Sequence, residues 1–217
     1  MNYLACHDEY TLGDFIRLSL REGKDIVPEN HAEHIRLSEE EKVLHHIAAF
    51  ILCCSQGVCM LHAGQEYARS KVIARVDGVE DPQAGTLDRD SYAKDNETNY
   101  MDLHDREINR ELYDYYRQLF AVRKAFPELR SAERDRITWL HGGGSDHGVG
   151  YRVDVPGRSL AVLLNSSPEK SAEFDLQEGD WKVHAHLNAA STEPLSEHKD
   201  AVLTLAPRSV LLLIKHT

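Results

Sequence analysis

The residues of this chain whose types and spacing could do chemistry fall in two short stretches. The first is His7-Asp8-Glu9, and the second holds His62, Gln65, Glu66, Arg69 and Lys71. An imidazole beside a carboxylate can hydrogen-bond a hydroxyl-bearing ligand and stabilise positive charge that develops on it. Each stretch follows a short apolar run, residues 2–6 and residues 58–62, that reads as a strand. In alternating strand–helix folds the residues just beyond the carboxyl ends of strands build the site. A lone His-Asp dipeptide also suits an ordinary surface pair, so the elements around it must decide.

Those elements can be read along the chain. Residues 10–20 pattern as a short helix and 21–37 as a polar loop. Ser38 and Glu41 form a capping box. The helix it opens runs to about Ser55, with Val43, Leu44, Ile47, Ala48, Ile51 and Cys54 on one face. Gln56-Gly57 stops it, and the nearly continuous apolar run 58–62 suits a parallel strand covered on both faces. Residues 65–105 are long, polar and charged, a length that is uncommon for a loop without function. A second helix is expected over 107–125, with Leu112, Tyr113, Tyr116, Leu119 and Phe120 as its stripe and Pro127 as its stop. Beyond residue 135 the period changes from helical to alternating. Strands are expected at 137–141, 149–153, 160–165, 172–176, 181–187, 202–205 and 209–215, separated by Gly142-Gly143-Gly144, Pro156-Gly157 and Glu178-Gly179. That is an antiparallel sandwich. The fold class is therefore α/β followed by all-β. Two strand–helix units cannot close a barrel, which needs eight, so the first part is expected to pair with something or to end a longer polypeptide.

Composition narrows the partners. The 217 residues carry 36 acidic against 25 basic side chains, a formal charge of −11. That balance repels a phosphate backbone, so no nucleic-acid partner is expected. The longest strongly apolar run, residues 47–54, is too short to span a bilayer, and no membrane is expected. No basic-then-apolar leader opens the sequence, so no signal peptide is expected, and the compartment leans cytoplasmic. Cys6, Cys53, Cys54 and Cys59 have neither ribbon nor disulfide-scaffold spacing and read as buried thiols. His31 and His34, His45 and His46, and His184 and His186 join no second cluster at ligand spacing, so no metal and no cofactor are expected. His45 and His46 read as one exposed and one partly packed residue, and Trp139 and Trp181 as sandwich core or a surface platform.

Three blocks carry a family resemblance. Asn2 to Leu12 reads NYLACHDEYTL, similar to the "NYVSCHDN-TL" of the α-amylase superfamily's pullulanase-type debranching enzymes at their seventh barrel strand. Ser55 to Lys71 reads SQGVCMLHAGQEYARSK, similar to their "SQGIPFLHAGEEF-RTK" at the eighth strand and its loop. Ser91-Tyr92 through Asn99 to Asp102 resembles their "NSYN…D-x-x-N-x-x-DW", and Leu205 to Val210 their last β-domain strand. Glu9 and Asp90 stand where the family has Asn, Leu103 where it has Trp, and Cys59 where it has Pro.

The resemblance implies the last two βα units of a (β/α)8 barrel over 1–130, a β-sandwich over 135–217, and retaining hydrolysis of α-glucosidic bonds in pullulan, starch or glycogen. It implies that His7 hydrogen-bonds the sugar in the cleaved subsite and that Asp8 grips its hydroxyls and stabilises the transition state. Glu66, Arg69, Asn96, Asn99 and Asp102 match positions near the cleft. Retaining chemistry needs two carboxyls about 5–5.5 Å apart. In the family these come from earlier barrel strands, so the chain alone is expected to be inactive. Its partners would be an α-glucan and the missing barrel half or a partner chain. The rival expectation is a non-catalytic carbohydrate-binding or accessory protein.

Overall fold

The computed structural model describes residues 1–21, Val27 and 30–216. They divide into two compact units, one of Met1–His45 and Cys59–Asp114, the other of His46–Val58 and Tyr115–Thr217.

In the first unit Asn2 and Cys59 form a parallel bridge, and the Met60 amide donates to the Asn2 carbonyl at 2.9 Å. The strands expected at 2–6 and 58–62 are thus reduced to one bridged pair. A two-stranded pairing without further sheet neighbours has too little to hold it extended. Helix α1, Leu12–Leu20, begins two residues later than the pattern suggested, because the Thr11 hydroxyl caps it by accepting from the Asp14 amide at 3.0 Å. The polar stretch 21–37 contains a short helix α2, His31–Ile35, capped by Asn30, while residues 22–26, 28 and 29 lie outside the described set.

Helix α3, Glu39–Cys54, opens on the expected capping box: Ser38 Oγ accepts from the Glu41 amide at 3.3 Å, and Glu41 Oε2 from the Ser38 amide at 2.8 Å. Its buried face matches the expected one only in part. Ile47 and Cys54 are buried as expected, Val43, Leu44 and Ala48 are half-buried, Ile51 is 37% exposed, and Glu41, His45, His46, Ala49, Phe50, Leu52 and Cys53 are buried as well. Apolar residues on several sides of a helix leave its orientation open, and here both histidines turn inward. The helix expected over 107–125 is two helices, α4 (Asp105–Ile108) and α5 (Arg110–Ala125). The break is Asn109, whose amide donates to the carbonyls of Ile35 (2.8 Å) and Tyr67 (3.0 Å) while its oxygen accepts from the Leu37 amide (3.2 Å). A side chain so engaged turns its own backbone away from helical dihedrals, to φ −114°, ψ 44°, while its carbonyl still accepts from the Tyr113 amide at 3.2 Å.

In the second unit α5 buries Tyr115, Tyr116, Leu119, Val122 and Arg123, and a short helix α6, Glu128–Ser131, follows. Arg123 closes the C-terminal end of α3. Its guanidinium donates to the carbonyls of Cys53 and Ser55, both at 2.7 Å, and of Gly57, which satisfies acceptors a helix end leaves unpaired. The strands are β1 (Ile137–His141), β2 (Gly148–Val155), β3 (Arg158–Asn165), β4 (Ala172–Asp175), β5 (Trp181–His186), β6 (Ala189–Ala190), β7 (Ser196–His198), β8 (Val202–Leu205) and β9 (Ser209–His216). All pair antiparallel. One sheet has the order β1-β2-β3-β9-β5-β6, with β7 also on β5, and β4 with β8 makes the second. The seven expected strands are all present, and the short β6 and β7 add to them. Along β4 and β8 every second residue is buried, and Phe174, Leu203 and Leu205 meet Ala161, Leu163, Trp181 and Leu213 from the larger sheet in one apolar core. Trp181 is fully buried within it and Trp139 is 67% exposed.

Candidate functional site

The first unit holds every residue the sequence singled out for chemistry. After Cys6 the chain bends instead of continuing as a strand, and Glu9 takes a left-handed backbone at φ 60°. Consecutive side chains on an extended strand would point to opposite faces. On this bend they converge: His7 Nε2 lies 3.2 Å from Asp8 Oδ1, with the two side chains 75% and 68% exposed. The pair is open to a ligand.

The bend is held from beneath. Lys71, itself buried, donates from Nζ to the His7 carbonyl at 3.0 Å. Burial, and next the charge of Arg69, lowers the Lys71 pKa below the ordinary lysine value. Lys71 is placed by the start of α1. Asp14 accepts from the Lys71 amide at 2.8 Å and from the Ser70 hydroxyl at 2.5 Å, and faces Arg17 Nη1 at 3.3 Å. Arg17 Nη2 donates to the carbonyls of Ala68 and Ile35, both at 2.9 Å, and Thr11 Oγ1 donates to the Arg69 carbonyl at 2.7 Å. Asp14 and Arg17 are both fully buried, and burial is the dominant influence on each, raising the carboxyl's pKa and lowering the guanidinium's. Their compensation is this set of bonds.

Two glycines permit the approach. A Cβ on Gly13 would sit 2.8 Å from the Ala68 carbonyl oxygen and 2.9 Å from that of Arg69. Gly64 has φ 91°, and its Cβ would fall 2.6 Å from the Arg69 side chain.

The predicted site residues separate into three groups. His7 and Asp8 share the bend with His62 nearby, whose pKa is pushed down to about 4 by burial first and then by the charges of Lys71, Arg69 and His7. His62 is therefore a neutral imidazole at neutral pH. Arg69 and Asp102 line a hollow of about 620 Å³ with His31, Arg75, Tyr100 and Asp105 among its walls, and the His31 ring sits 3.0 Å from Asp105. His7 and Asp8 do not line that hollow. Glu66, Asn96 and Asn99 are spent on the backbone: Glu66 accepts from the Gly64 amide (3.0 Å), Asn96 from Thr98 (3.0 Å), and Asn99 donates to the carbonyls of Ser91 (2.6 Å) and Lys94 (2.7 Å). Arg69 Nη2 in turn donates to the Asn99 carbonyl at 2.6 Å.

Sequence reasoning missed Asp14, Arg17 and Asn109, which shape the site without facing it. Gly13 between Leu12 and Asp14, inside an otherwise good helix, was the available signal. Of the cysteines, Cys53 and Cys54 are buried as expected, whereas Cys6 and Cys59 are half-exposed.

No family model matches the chain. It is 29% identical over 130 residues to a pullulanase of Bacillus subtilis, covering 60% of this chain and 14% of that protein. It is 26% identical over 239 residues to pullulanase A of Streptococcus pneumoniae, covering 93% of this chain and 17% of that protein. Its fold matches the structure of a Paenibacillus barengoltzii pullulanase in complex with maltohexaose and α-cyclodextrin, with a TM-score of 0.66, 27% identity, all of this chain and 30% of that one. The chain spans 14–18% of the length of the curated relatives it matches. The homologues of this chain, over most of its length, are pullulanases.

Proposed function

We propose that this chain supplies one wall of an α-glucan-cleaving site, with His7 and Asp8 gripping the hydroxyls of the glucosyl unit at the broken bond. In this reading residues 1–130 are the closing part of a (β/α)8 barrel and 135–217 its C-terminal β-sandwich. The parallel Asn2–Cys59 bridge is the seam between the last two barrel strands. The substrate class is α-glucan, in line with the maltohexaose held in the Paenibacillus barengoltzii pullulanase complex. Cleavage is retaining, and the nucleophile and acid/base carboxyls lie on polypeptide outside these residues. Asp8 stabilises the oxocarbenium-like transition state through hydroxyl contacts that tighten as charge develops. Arg69 and Asp102, in the neighbouring hollow, contact further glucosyl units. The observation that carries the reading is the exposed His7–Asp8 pair, held by a buried lysine, in a chain whose homologues are pullulanases.

Two measurements test it. In the longer enzyme that contains this segment, Asp8→Asn is expected to lower kcat on pullulan by roughly 10²–10³, the cost of removing one transition-state stabiliser. In the isolated chain, maltotriose is expected to shift the NMR resonances of His7, Asp8 and Arg69. Shifts confined to the β-sandwich around exposed Trp139 would instead favour a non-catalytic carbohydrate-binding role.

A further inference from the structure

We propose that the Cys6-His7-Asp8 bend is a Zn²⁺ site. A thiol, an imidazole and a carboxylate converge there, with one donor atom from each lying within 4.8 Å of the others. Sequence spacing gave no hint of this, because three consecutive residues on a strand could not share a ligand. The bend is what brings them together, with the Cys6 thiol 3.8 Å from the Asp8 carbonyl and the His7–Asp8 pair at 3.2 Å. Zinc–sulfur bonds of about 2.3 Å and zinc–nitrogen or –oxygen bonds of about 2.0–2.1 Å place tetrahedral donors roughly 3.3–3.6 Å apart. The imidazole–carboxylate pair, at 3.2 Å, is already close to that separation, and the thiol lies within 4.8 Å of both.

The donor set also suits the ion. One thiolate and one carboxylate balance the charge of Zn²⁺, an imidazole in its neutral form adds a third ligand, and water fills the fourth position. Cys6 binds as its thiolate and releases its proton to solvent. The backbone at the donors is tied by the Lys71 bond to the His7 carbonyl. This geometry carries the zinc site independently of the glucan reading. The two meet in one consequence: bound zinc occupies the His7 and Asp8 atoms that would face a sugar, so it is an inhibitor there.

Co²⁺ titrated into the sugar-free full chain tests this, because a thiolate-to-cobalt charge-transfer band reports a cysteine ligand alone and ignores the other surface histidines. The band is expected at one equivalent, in the wild-type chain and in Cys59→Ser. It is expected to vanish in Cys6→Ser and to weaken in Asp8→Asn, with circular dichroism unchanged. Calorimetry with Zn²⁺ is expected to show Cys6→Ser binding more than about 10-fold more weakly, since even a lost outer-shell partner costs that much. A chain that gives no band, or whose band survives Cys6→Ser, overturns the proposal. Zinc binding without any maltotriose-induced shift at His7 would leave the metal site standing and remove the glucan reading.

Discussion

The two units solve the problem of holding a chain in place by opposite means. The β-sandwich does it with apolar area: Trp181, Phe174, Leu163 and Leu213 close one core between two sheets, and strand pairing uses up the backbone groups. The unit that carries His7 and Asp8 does it with buried polar groups. Asp14, Arg17, Asn109 and Thr11 each give their side chain to a loop carbonyl, amide or hydroxyl. Apolar burial is tolerant of direction, whereas hydrogen bonds fix distance and angle. The region that brings the His7 and Asp8 side chains together is the one built on directional contacts.

This contrast can be broken at several points. The largest effect belongs to the sandwich. Trp181→Ala is expected to cost about 4 kcal/mol by denaturant unfolding, as for other large buried aromatics. Trp139→Ala is expected to change stability by less than about 0.5 kcal/mol, as for an ordinary surface site. Equal losses would mean that the core is not where the sheets meet. Next is Arg17→Met, which leaves Asp14 buried without its counter-charge and is expected to cost about 3 kcal/mol. Amide exchange should accelerate at Arg69–Ile73 and leave Leu160–Leu163 of β3 unchanged. A uniform change across both units would deny that the clamp is local.

Acid separates the units next. His34 is buried with its ring on the Ser70 hydroxyl at 2.8 Å, and its pKa is pushed down to about 3 by burial first and then by Arg17. With His62 at about 4, both folded values lie below the ordinary 6.5. The unfolded chain therefore takes up protons first as pH falls. Stability of the first unit is full above pH 6.5 and is lost as pH drops toward 4 and then 3. The sandwich has His184 shifted the same way, also by burial, so it follows less steeply. His34→Gln is expected to flatten the unfolding midpoint between pH 7 and 5, and an unchanged slope would remove His34 from the account. The smallest effect is at the capping box, where Ser38→Ala is expected to cost about 1 kcal/mol in thermal unfolding.

The same contrast explains what the sequence disclosed. Each sandwich strand announces itself by alternation, as in Ala172-Glu173-Phe174-Asp175, and by a local turn such as Pro156-Gly157. Both signals are complete within a few residues. The capping box at Ser38 is equally local. The site's supports are not. Arg17 meets Ala68 across 51 positions and Asn109 meets Ile35 across 74, through backbone acceptors that every residue possesses. No side-chain pattern marks such a partner, so the α4–α5 break stayed hidden. On α3, apolar residues on three sides hid which side turns inward, and the buried His45 and His46 were misplaced for that reason. His7 and Asp8 stand out in the sequence as an imidazole beside a carboxylate, but their convergence does not, because it comes from the bend that replaces the expected extended strand end.

Gly13 sets how this region can diverge. With no side chain there, α1 rests directly on main-chain oxygens of residues 68 and 69, and that contact is indifferent to which side chains those residues carry. The outward-facing positions of the loop can accordingly vary while its course stays constant. Randomising those positions with the glycine left in place is expected to keep the main chain of residues 68 and 69 where it is.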